Sequence, residues 1–316
     1  MHLSHFTLFR AAVALAAAAS GVLLAADAGE SQDPMFSEAQ AYERFMGRWS
    51  RQLAPALVTF AGVADGDTVL DIGSGTGALA AAVARSSPSS RIVGIDPAAS
   101  YVALAQAQHP GDRVRFEVGD AQQLRFEDAA FDRTLSLLVV NFIPDPLKAV
   151  AEMRRVTRGG GSVAAAVWDY GDGMQMLRAF WDEAVALNPA SAAKDERHMP
   201  LCRSGELGAF WRKHGFEQVV EEGLTIQTRF AGFDDYWNPF LDKQGPAGAY
   251  VAALPLGERN QLRERLRRRL LGDGPDRPIV LSARAWAVRG VVPQPQPLMA
   301  QMPLATDGAD AQSRSR

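Results

Sequence analysis

The stretch Val69-Leu70-Asp71-Ile72-Gly73-Ser74-Gly75-Thr76-Gly77-Ala78 runs from an apolar strand through a glycine-rich turn into a helix. Glycines let a backbone pass close under a ligand in conformations closed to other residues. The first turn of a helix offers N–H groups with no partner inside the helix. Together they suit a nucleotide-type ligand at the carboxyl end of a strand, where open α/β sheets bind. Gly73-x-Gly75-x-x-Ala78 also satisfies the dinucleotide fingerprint, so the glycines alone leave the ligand open. Asp71, two residues before the first glycine, narrows it. A pyrophosphate gains nothing from a carboxylate there, whereas a ligand with a positively charged amino group does. Asp96 ends Val93-Gly94-Ile95-Asp96 and can accept from both ribose hydroxyls, a property shared with NAD sites. Asp120, in Val118-Gly119-Asp120-Ala121, can accept from an exocyclic amine such as that of adenine. The three acids stand 25 and 24 residues apart, one strand–helix unit each, so they fall side by side along one sheet edge.

The elements that must position these residues alternate. Strands are expected at Val69–Ile72, Arg91–Ile95, Val114–Val118, within Phe131–Val140 and at Ser162–Trp168. Helices are expected at Ala78–Arg85, Ala98–Gln108 and Leu147–Thr157, the last stopped by Gly159-Gly160-Gly161. Such alternation means a parallel sheet covered by helices on both faces, the doubly wound α/β class. A helix precedes it from near Ser37, with Phe36, Tyr42, Phe45, Met46, Trp49 and Leu53 at helical spacing, broken or restarted at Pro55. After Trp168 the alternation stops. Residues 174–215 and 231–272 read as helices, Phe216–Glu222 and Leu224–Phe230 as strands, and Ile279–Val288 as the last strand. From Val291 onward proline, glutamine, serine and aspartate without periodicity predict a disordered tail.

With these motifs in order, the chain resembles class I S-adenosylmethionine-dependent methyltransferases of the broad small-molecule, type 11-like group. The resemblance covers about residues 65–170. It rests on Asp71-x-Gly73-x-Gly75-x-Gly77, on Asp96, on Asp120-Ala121, on Phe131-Asp132 with Asn141-Phe142-Ile143-Pro144-Asp145-Pro146, and on Met153 to Gly161. It implies a Rossmann-like, mostly parallel seven-stranded sheet with an antiparallel last strand, a role that Ile279–Val288 fits. The domain then spans 35–290, with its cofactor core at about 55–170 and helical cap insertions at about 171–215 and 231–272. The resemblance implies S-adenosyl-L-methionine as cofactor, held by Asp71, Gly73, Ser74, Gly75, Gly77, Asp96, Asp120 and Ala121. Ser136 and Leu137 lie at the end of the fourth strand, where the family holds the methionine part. The implied reaction is in-line methyl transfer to a small-molecule acceptor. The alternatives are an NAD(P)-dependent oxidoreductase, which Asp71 disfavours, and a non-catalytic S-adenosylmethionine-binding regulator. Two positions depart from the family. Ser74 replaces a frequent cysteine, and Asn141-Phe142 replaces a frequent histidine pair, so no base is implied there.

No catalytic residue is assigned by the pattern. Asp169, Tyr170 and His198 are the candidates: the first two leave the fifth strand beside Trp168, and His198 lies in the cap. Tyr42 and Arg51 could close over the cofactor from the N-terminal helix. Phe233, Tyr236, Trp237 and Phe240 read first as cap core and second as acceptor pocket. Alanine at Trp168, Tyr170, Tyr236 or Trp237 is expected to hurt acceptor turnover more than cofactor binding. His214 ends a helix, and the arginines between 263 and 269 read as a solvated face.

Composition bounds the rest. The chain has 316 residues, 47 % hydrophobic and 22 % charged, which describes a globular protein rather than a disordered one. A net charge of −3 excludes a nucleic-acid partner bound by a strongly basic field. The single cysteine, Cys202, excludes a disulfide framework within the chain and cysteine-rich zinc sites, and no metal-ligand spacing is present. No apolar run reaches the roughly 20 residues of a membrane span. Arg10, the alanine-rich run Ala11–Ala26 and the small-residue pattern Ala26-Asp27-Ala28 resemble an export leader. That leader competes with a cofactor made in the cytoplasm. The expectation is therefore a cytoplasmic enzyme whose folded part begins near Met35, with residues 1–34 leader-like or mis-called.

Overall fold

Strands β1 (Thr68–Ile72), β2 (Arg91–Asp96), β3 (Val114–Val118), β4 (Phe131–Leu137), β5 (Thr157–Trp168), β6 (Glu217–Phe230) and β7 (Ile279–Val291) form one sheet in the order β3-β2-β1-β4-β5-β7-β6. The computed structural model describes residues 39–294. They belong to one compact unit. The leader-like segment, Phe36, the helix start near Ser37 and residues 295–316 of the tail lie outside the described residues. β1 to β5 pair in parallel, and β7 runs antiparallel between β5 and β6. β1 pairs with both β2 and β4. The chain winds outward to β3, then crosses back to β4, so the strand order reverses at β1. Ligands bind at such a reversal, beyond the carboxyl ends of the strands.

The central strands are buried, as two helical layers require: Val69, Leu70 and Ile72 of β1 and Val163 to Val167 of β5 lie in the core. The covering helices are α1 (Ala39–Tyr42), continued by a π-helical turn (Glu43–Gly47), α2 (Arg48–Ala61), α3 (Ala78–Ser86), α4 (Ala99–Gln108) and α5 (Pro146–Val156). Trp49, Leu53, Ala54, Leu57, Val58 and Ala61 make one buried stripe along α2. Pro55 lies inside α2 and does not break it, contrary to the expectation. It sits on the exposed face. The lost backbone bond therefore faces solvent while the buried stripe holds the helix. Gly62, at φ +67°, ends α2 in the left-handed form.

Several boundaries differ from the expected ones. Gly159-Gly160-Gly161 does not stop a helix outside the sheet; α5 ends at Val156 and the glycines lie inside β5. The register with β4 slips between Phe131 and Arg133, and Gly160 takes φ +77° there. A Cβ on Gly161 would stand 2.6 Å from the Asp132 carbonyl oxygen. The fourth strand falls within the expected Phe131–Val140 and ends at Leu137, because Leu138 turns at φ +65° into a 3-10 turn over Val140–Phe142. The two strand-like runs at 216–230 are one strand, because Gly223 continues the ladder opposite Trp286 of β7. The last strand runs to Val291, where the tail was expected to start. Val291 pairs with Ser162 and Glu217, and the Val292 N–H donates to the Gly161 carbonyl at 2.9 Å.

The cap comprises α6 (Gln175–Leu187), 3-10 turns at Pro189–Lys194 and Glu196–His198, α7 (Glu206–Lys213), α8 (Phe233–Trp237), a 3-10 turn at Asn238–Asp242, α9 (Gly245–Ala253) and α10 (Leu256–Leu271). Phe180 stacks on Phe240 at 4.6 Å, and the buried Tyr236 hydroxyl donates to the Met176 carbonyl at 2.9 Å. Arg178 makes a two-pronged pair with Asp195 at 2.7 and 2.8 Å. The arginine run is not simply solvated: Arg265 pairs with Glu183 and Arg269 with Asp182, both at 2.9 Å, tying α10 to α6. The aromatic cluster is thus cap core, which was its first reading. Tyr236→Ala is expected to cost about 3–5 kcal/mol in urea unfolding, as other large aromatic truncations do. A change confined to acceptor turnover would show instead that Tyr236 lines the pocket. Among the described residues no helix is long and apolar enough to cross a membrane.

Candidate functional site

The glycine turn leaves β1 at the point where the sheet order reverses. Gly73, Gly75 and Gly77 take φ of +67°, +52° and +92°, a region that side chains rarely adopt. Gly73 is also sterically fixed, since a Cβ there would lie 2.5 Å from the Val139 side chain. A Cβ on Gly75 would meet open space, so its backbone is free to face a ligand. Gly73→Ala is expected to destabilise the fold by about 1–3 kcal/mol through strain and overlap. Thermal unfolding checks this, and an unchanged midpoint would show that the turn 139–142 yields freely.

β2 braces the turn. The Ser74 N–H donates to the Ile95 carbonyl at 2.8 Å. Asp96, 7 % exposed, accepts from the Gly75 N–H through Oδ2 and from the Ala98 N–H through Oδ1, both at 2.9 Å. Burial raises its pKa, and the two backbone N–H groups oppose the rise. Gly94 belongs to this brace, because a Cβ there would stand 2.8 Å from the Ser74 Cβ. Asp71 is 1 % exposed, and its Oδ2 accepts from the Ala80 N–H at 3.2 Å. Its Oδ1 has no hydrogen-bond partner, and neither does the buried Ser74 Oγ. Burial pushes the Asp71 carboxyl up to about 7, and nearby Asp96 adds to the rise. A buried carboxylate without a countercharge is costly, so the pocket asks for a cation.

Along the edge, Asp120 is exposed and accepts from the Gln122 N–H at 2.8 Å. A cleft of about 140 Å³ opens beside it, walled by Ile95, Val118, Gly119 and Leu124. Val118 is 53 % exposed, an apolar face beside an acid that suits a flat heterocycle. Ala121 is half-buried just past Asp120. The structure thus brings Asp71, the glycine turn, Ser74, Asp96 and Asp120 onto one edge.

Other expected positions are used elsewhere. The buried Ser136 hydroxyl donates to the Ile72 carbonyl at 3.1 Å, inside the sheet, and Leu137 lies in the core. Asp169 accepts from Arg284 Nε at 2.9 Å and from the Asp172 N–H at 3.1 Å, which closes the turn after β5. The Tyr170 hydroxyl is raised well above its ordinary pKa by burial, with Glu196, Cys202 and Tyr42 close enough to add to it. His198 is exposed on the cap beside Asp182 and Asp195. His214 holds the Phe210 carbonyl through Nδ1 at 2.6 Å.

The N-terminal segment does close over this edge. The Tyr42 ring lies 5.5 Å from Tyr101 of α4, and its hydroxyl feels the charges of Asp96 and Asp71. Arg51 pairs with Glu43, whose carboxylate also takes the Thr76 hydroxyl of the glycine turn. Sequence reasoning missed Glu43, for it stood among ordinary helix-surface charges. It missed Asn141 as well, except as a departure from a family pattern. Asn141 is 7 % exposed, and neither its Oδ1 nor its Nδ2 has a hydrogen-bond partner. The signal was a polar residue following the apolar run Leu137-Leu138-Val139-Val140.

Residues 70–165 match the family model described as a methyltransferase domain. An uncharacterized protein of Mycobacterium tuberculosis is 30 % identical over 144 residues, 44 % of this chain and 53 % of that protein. A ubiquinone/menaquinone biosynthesis C-methyltransferase of Bdellovibrio bacteriovorus is 37 % identical over 109 residues, 34 % of this chain and 46 % of that protein. A 2-methyl-6-phytyl-1,4-hydroquinone methyltransferase of Synechocystis is 32 % identical over 188 residues, 57 % of this chain and 56 % of that protein. The chain spans about half the length of these curated relatives. Among solved structures, the Haemonchus contortus phosphoethanolamine N-methyltransferase 2 in complex with S-adenosyl-L-methionine superposes with a TM-score of 0.52 at 20 % identity, over 84 % of this chain and 59 % of that one. That likeness shows the fold.

Proposed function

We propose that this chain, whose residues 70–165 match the methyltransferase-domain family model, is a class I S-adenosylmethionine-dependent methyltransferase that transfers the cofactor's methyl group to a small-molecule acceptor. The observation that carries the reading is Asp71 Oδ1, buried and unpartnered at the foot of the glycine turn. The residues present fit the cofactor: Asp71 meets its ammonium group, Asp96 its ribose, and Asp120 with the Val118 wall its adenine. Ser74 and the open backbone of Gly75 complete the cradle. When bound, S-adenosylmethionine would supply a sulfonium-activated methyl group; an acceptor's lone pair would bond to the methyl carbon in line as the carbon–sulfur bond breaks and S-adenosylhomocysteine leaves. The protein's task is then to align the acceptor and exclude water. Asp169 holds the turn at the start of the cap through Arg284, so it positions rather than reacts. Acceptor choice falls to the cap, whose turn Glu196–His198 stands near Tyr170. Two relatives carry names of enzymes that methylate quinone-type small molecules, which supports a small acceptor of that chemistry. The cytoplasm, where the methyl donor is made, is the compartment this reading assigns.

Calorimetry with S-adenosylhomocysteine and NAD in parallel tests the reading. The expected result is binding of the first alone. Binding of NAD alone would replace the reading with an oxidoreductase. A screen for release of a labelled methyl group then separates an enzyme from a regulator that only binds the cofactor.

A further inference from the structure

At the carboxyl edge the strands stand in the order β3, β2, β1, β4, β5. Asp120 follows the first of these, Asp96 ends the second, and Asp71 lies on the third. The next place along the row belongs to the turn after β4, and beyond it Trp168-Asp169-Tyr170 leave β5 for the cap. That turn is held from both sides. The Val139 side chain fills the space where a Cβ on Gly73 would lie. The Phe142 ring meets Tyr170 edge-on at 6.5 Å. Between them Asn141 is buried, with both ends of its amide open. Its neighbours Leu137, Leu138 and Val140 are apolar and buried. A buried amide that finds no partner in its own protein is costly and calls for an explanation.

We infer that Asn141 is the acceptor-binding residue of this site: its amide grips a hydroxyl or amine of the acceptor, at or next to the atom that takes the methyl group. The inference rests on the methyltransferase reading above. Two features favour the acceptor over the cofactor. Asn141 lies past Asp71 on the side away from Asp96 and Asp120, toward the cap. One donor and one acceptor are open together, which suits an O–H or N–H group that itself gives and takes a hydrogen bond. A carboxylate would use only Nδ2. An amide takes no proton, so Asn141 orients the acceptor and does not act as a base, in line with the absence of a histidine at this place.

The test uses the full chain and the variants Asn141→Leu, which keeps the volume, and Asn141→Ala. Calorimetry first measures S-adenosylhomocysteine, then titrates the loaded protein with hydroquinone as the hydroxyl probe and benzylamine as the amine probe. The loaded wild type is expected to bind at least one probe, and the variants to bind it about tenfold more weakly, as the loss of a buried hydrogen-bond partner dictates. S-adenosylhomocysteine affinity should stay within about twofold, since Asn141 makes no cofactor contact on this reading. The apo Asn141→Leu protein should melt no lower than wild type, because the substitution removes two unmet polar atoms. Equal probe binding by the variants overturns the inference, and so does binding of neither probe to the wild type. A tenfold loss of S-adenosylhomocysteine affinity would assign Asn141 to the cofactor instead. If the wild type binds no S-adenosylhomocysteine at all, the methyltransferase reading itself fails, a result distinct from the others.

Discussion

Asp96→Ala is expected to weaken S-adenosylhomocysteine binding by about a hundredfold, since hydrogen bonds to a charged group are worth about 1.5–3 kcal/mol each and tenfold is about 1.4 kcal/mol. Two losses combine. The ligand loses a carboxylate for its ribose hydroxyls. The glycine turn loses the brace that fixes the Gly75 and Ala98 N–H groups at 2.9 Å each. Asp96→Asn separates them, because the amide keeps one oxygen to accept from the turn but not the charge. It should fall between wild type and alanine. Isothermal calorimetry reads all three proteins. Affinity within threefold of wild type for Asp96→Ala would remove Asp96 from the ligand site.

Asp71→Asn is expected to stabilise the ligand-free protein at pH 8 while abolishing the pH dependence of cofactor binding. Burial holds the Asp71 carboxyl at about 7, far above the usual carboxylate range. The folded protein therefore keeps a proton that the unfolded chain has already released between about pH 4 and 7. Stability falls as pH rises through that interval, and the loss is complete above it. The neutral amide avoids this, for a gain of about 2–4 kcal/mol at pH 8 and little change near pH 4. Glu196, which accepts from Trp181 Nε1 at 2.7 Å, is pushed to about 7 by burial and adds a slope of the same sign. Some pH dependence of stability therefore survives in the variant. Binding runs the other way. An ionised Asp71 attracts the ligand's ammonium group, so wild-type affinity should rise from pH 6 to pH 8, and the variant's should stay flat. Urea unfolding at pH 5 and 8, with calorimetry at pH 6 and 8, reads both. An apo Asp71→Asn protein less stable than wild type at pH 8 would show that the carboxylate has a compensating positive charge inside the fold.

What the sequence disclosed about this site is what depends on neighbours along the chain. Asp71 and its glycines sit within one strand–turn–helix unit, and Asp96 and Asp120 each recur one unit later, so periodicity alone placed all three on one edge. The parallel sheet followed from the same alternation. Local reading failed where the deciding partner lies far along the chain. Asp169 looked like a reactive acid at a strand end, yet its partner Arg284 lies 115 residues away. Ser136 looked available to a ligand, yet its hydroxyl is spent on Ile72, 64 residues earlier. Glu43 gains meaning only through Thr76. The glycine trio at 159–161 was read as a helix stop because the slip in register against β4 is invisible without β4. Asn141 could be noticed as a polar interruption, but its burial and its two open hydrogen-bonding ends are properties of the assembled edge.

The hairpin-like pairing of β6 and β7 carries a consequence for how such a protein diversifies. Phe230 and Ile279 sit opposite one another in the ladder, so residues 231–278 leave and re-enter the sheet at adjacent points. The sheet itself holds the two stems together, and the entropy of closing a loop grows only slowly with its length. Segments with neighbouring ends tolerate replacement by others of different size. Evolution, or an engineer, can thus graft a new lobe here without redrawing the strands that carry Asp71, Asp96 and Asp120. The graft has attachments to respect, among them the Asp235 carboxylate, which receives Arg48 at 2.9 Å, the Tyr236 hydroxyl on Met176, and Arg265 and Arg269 on Glu183 and Asp182 of α6. A lobe that keeps such links can present a different inner surface while leaving the glycine-turn edge as it is.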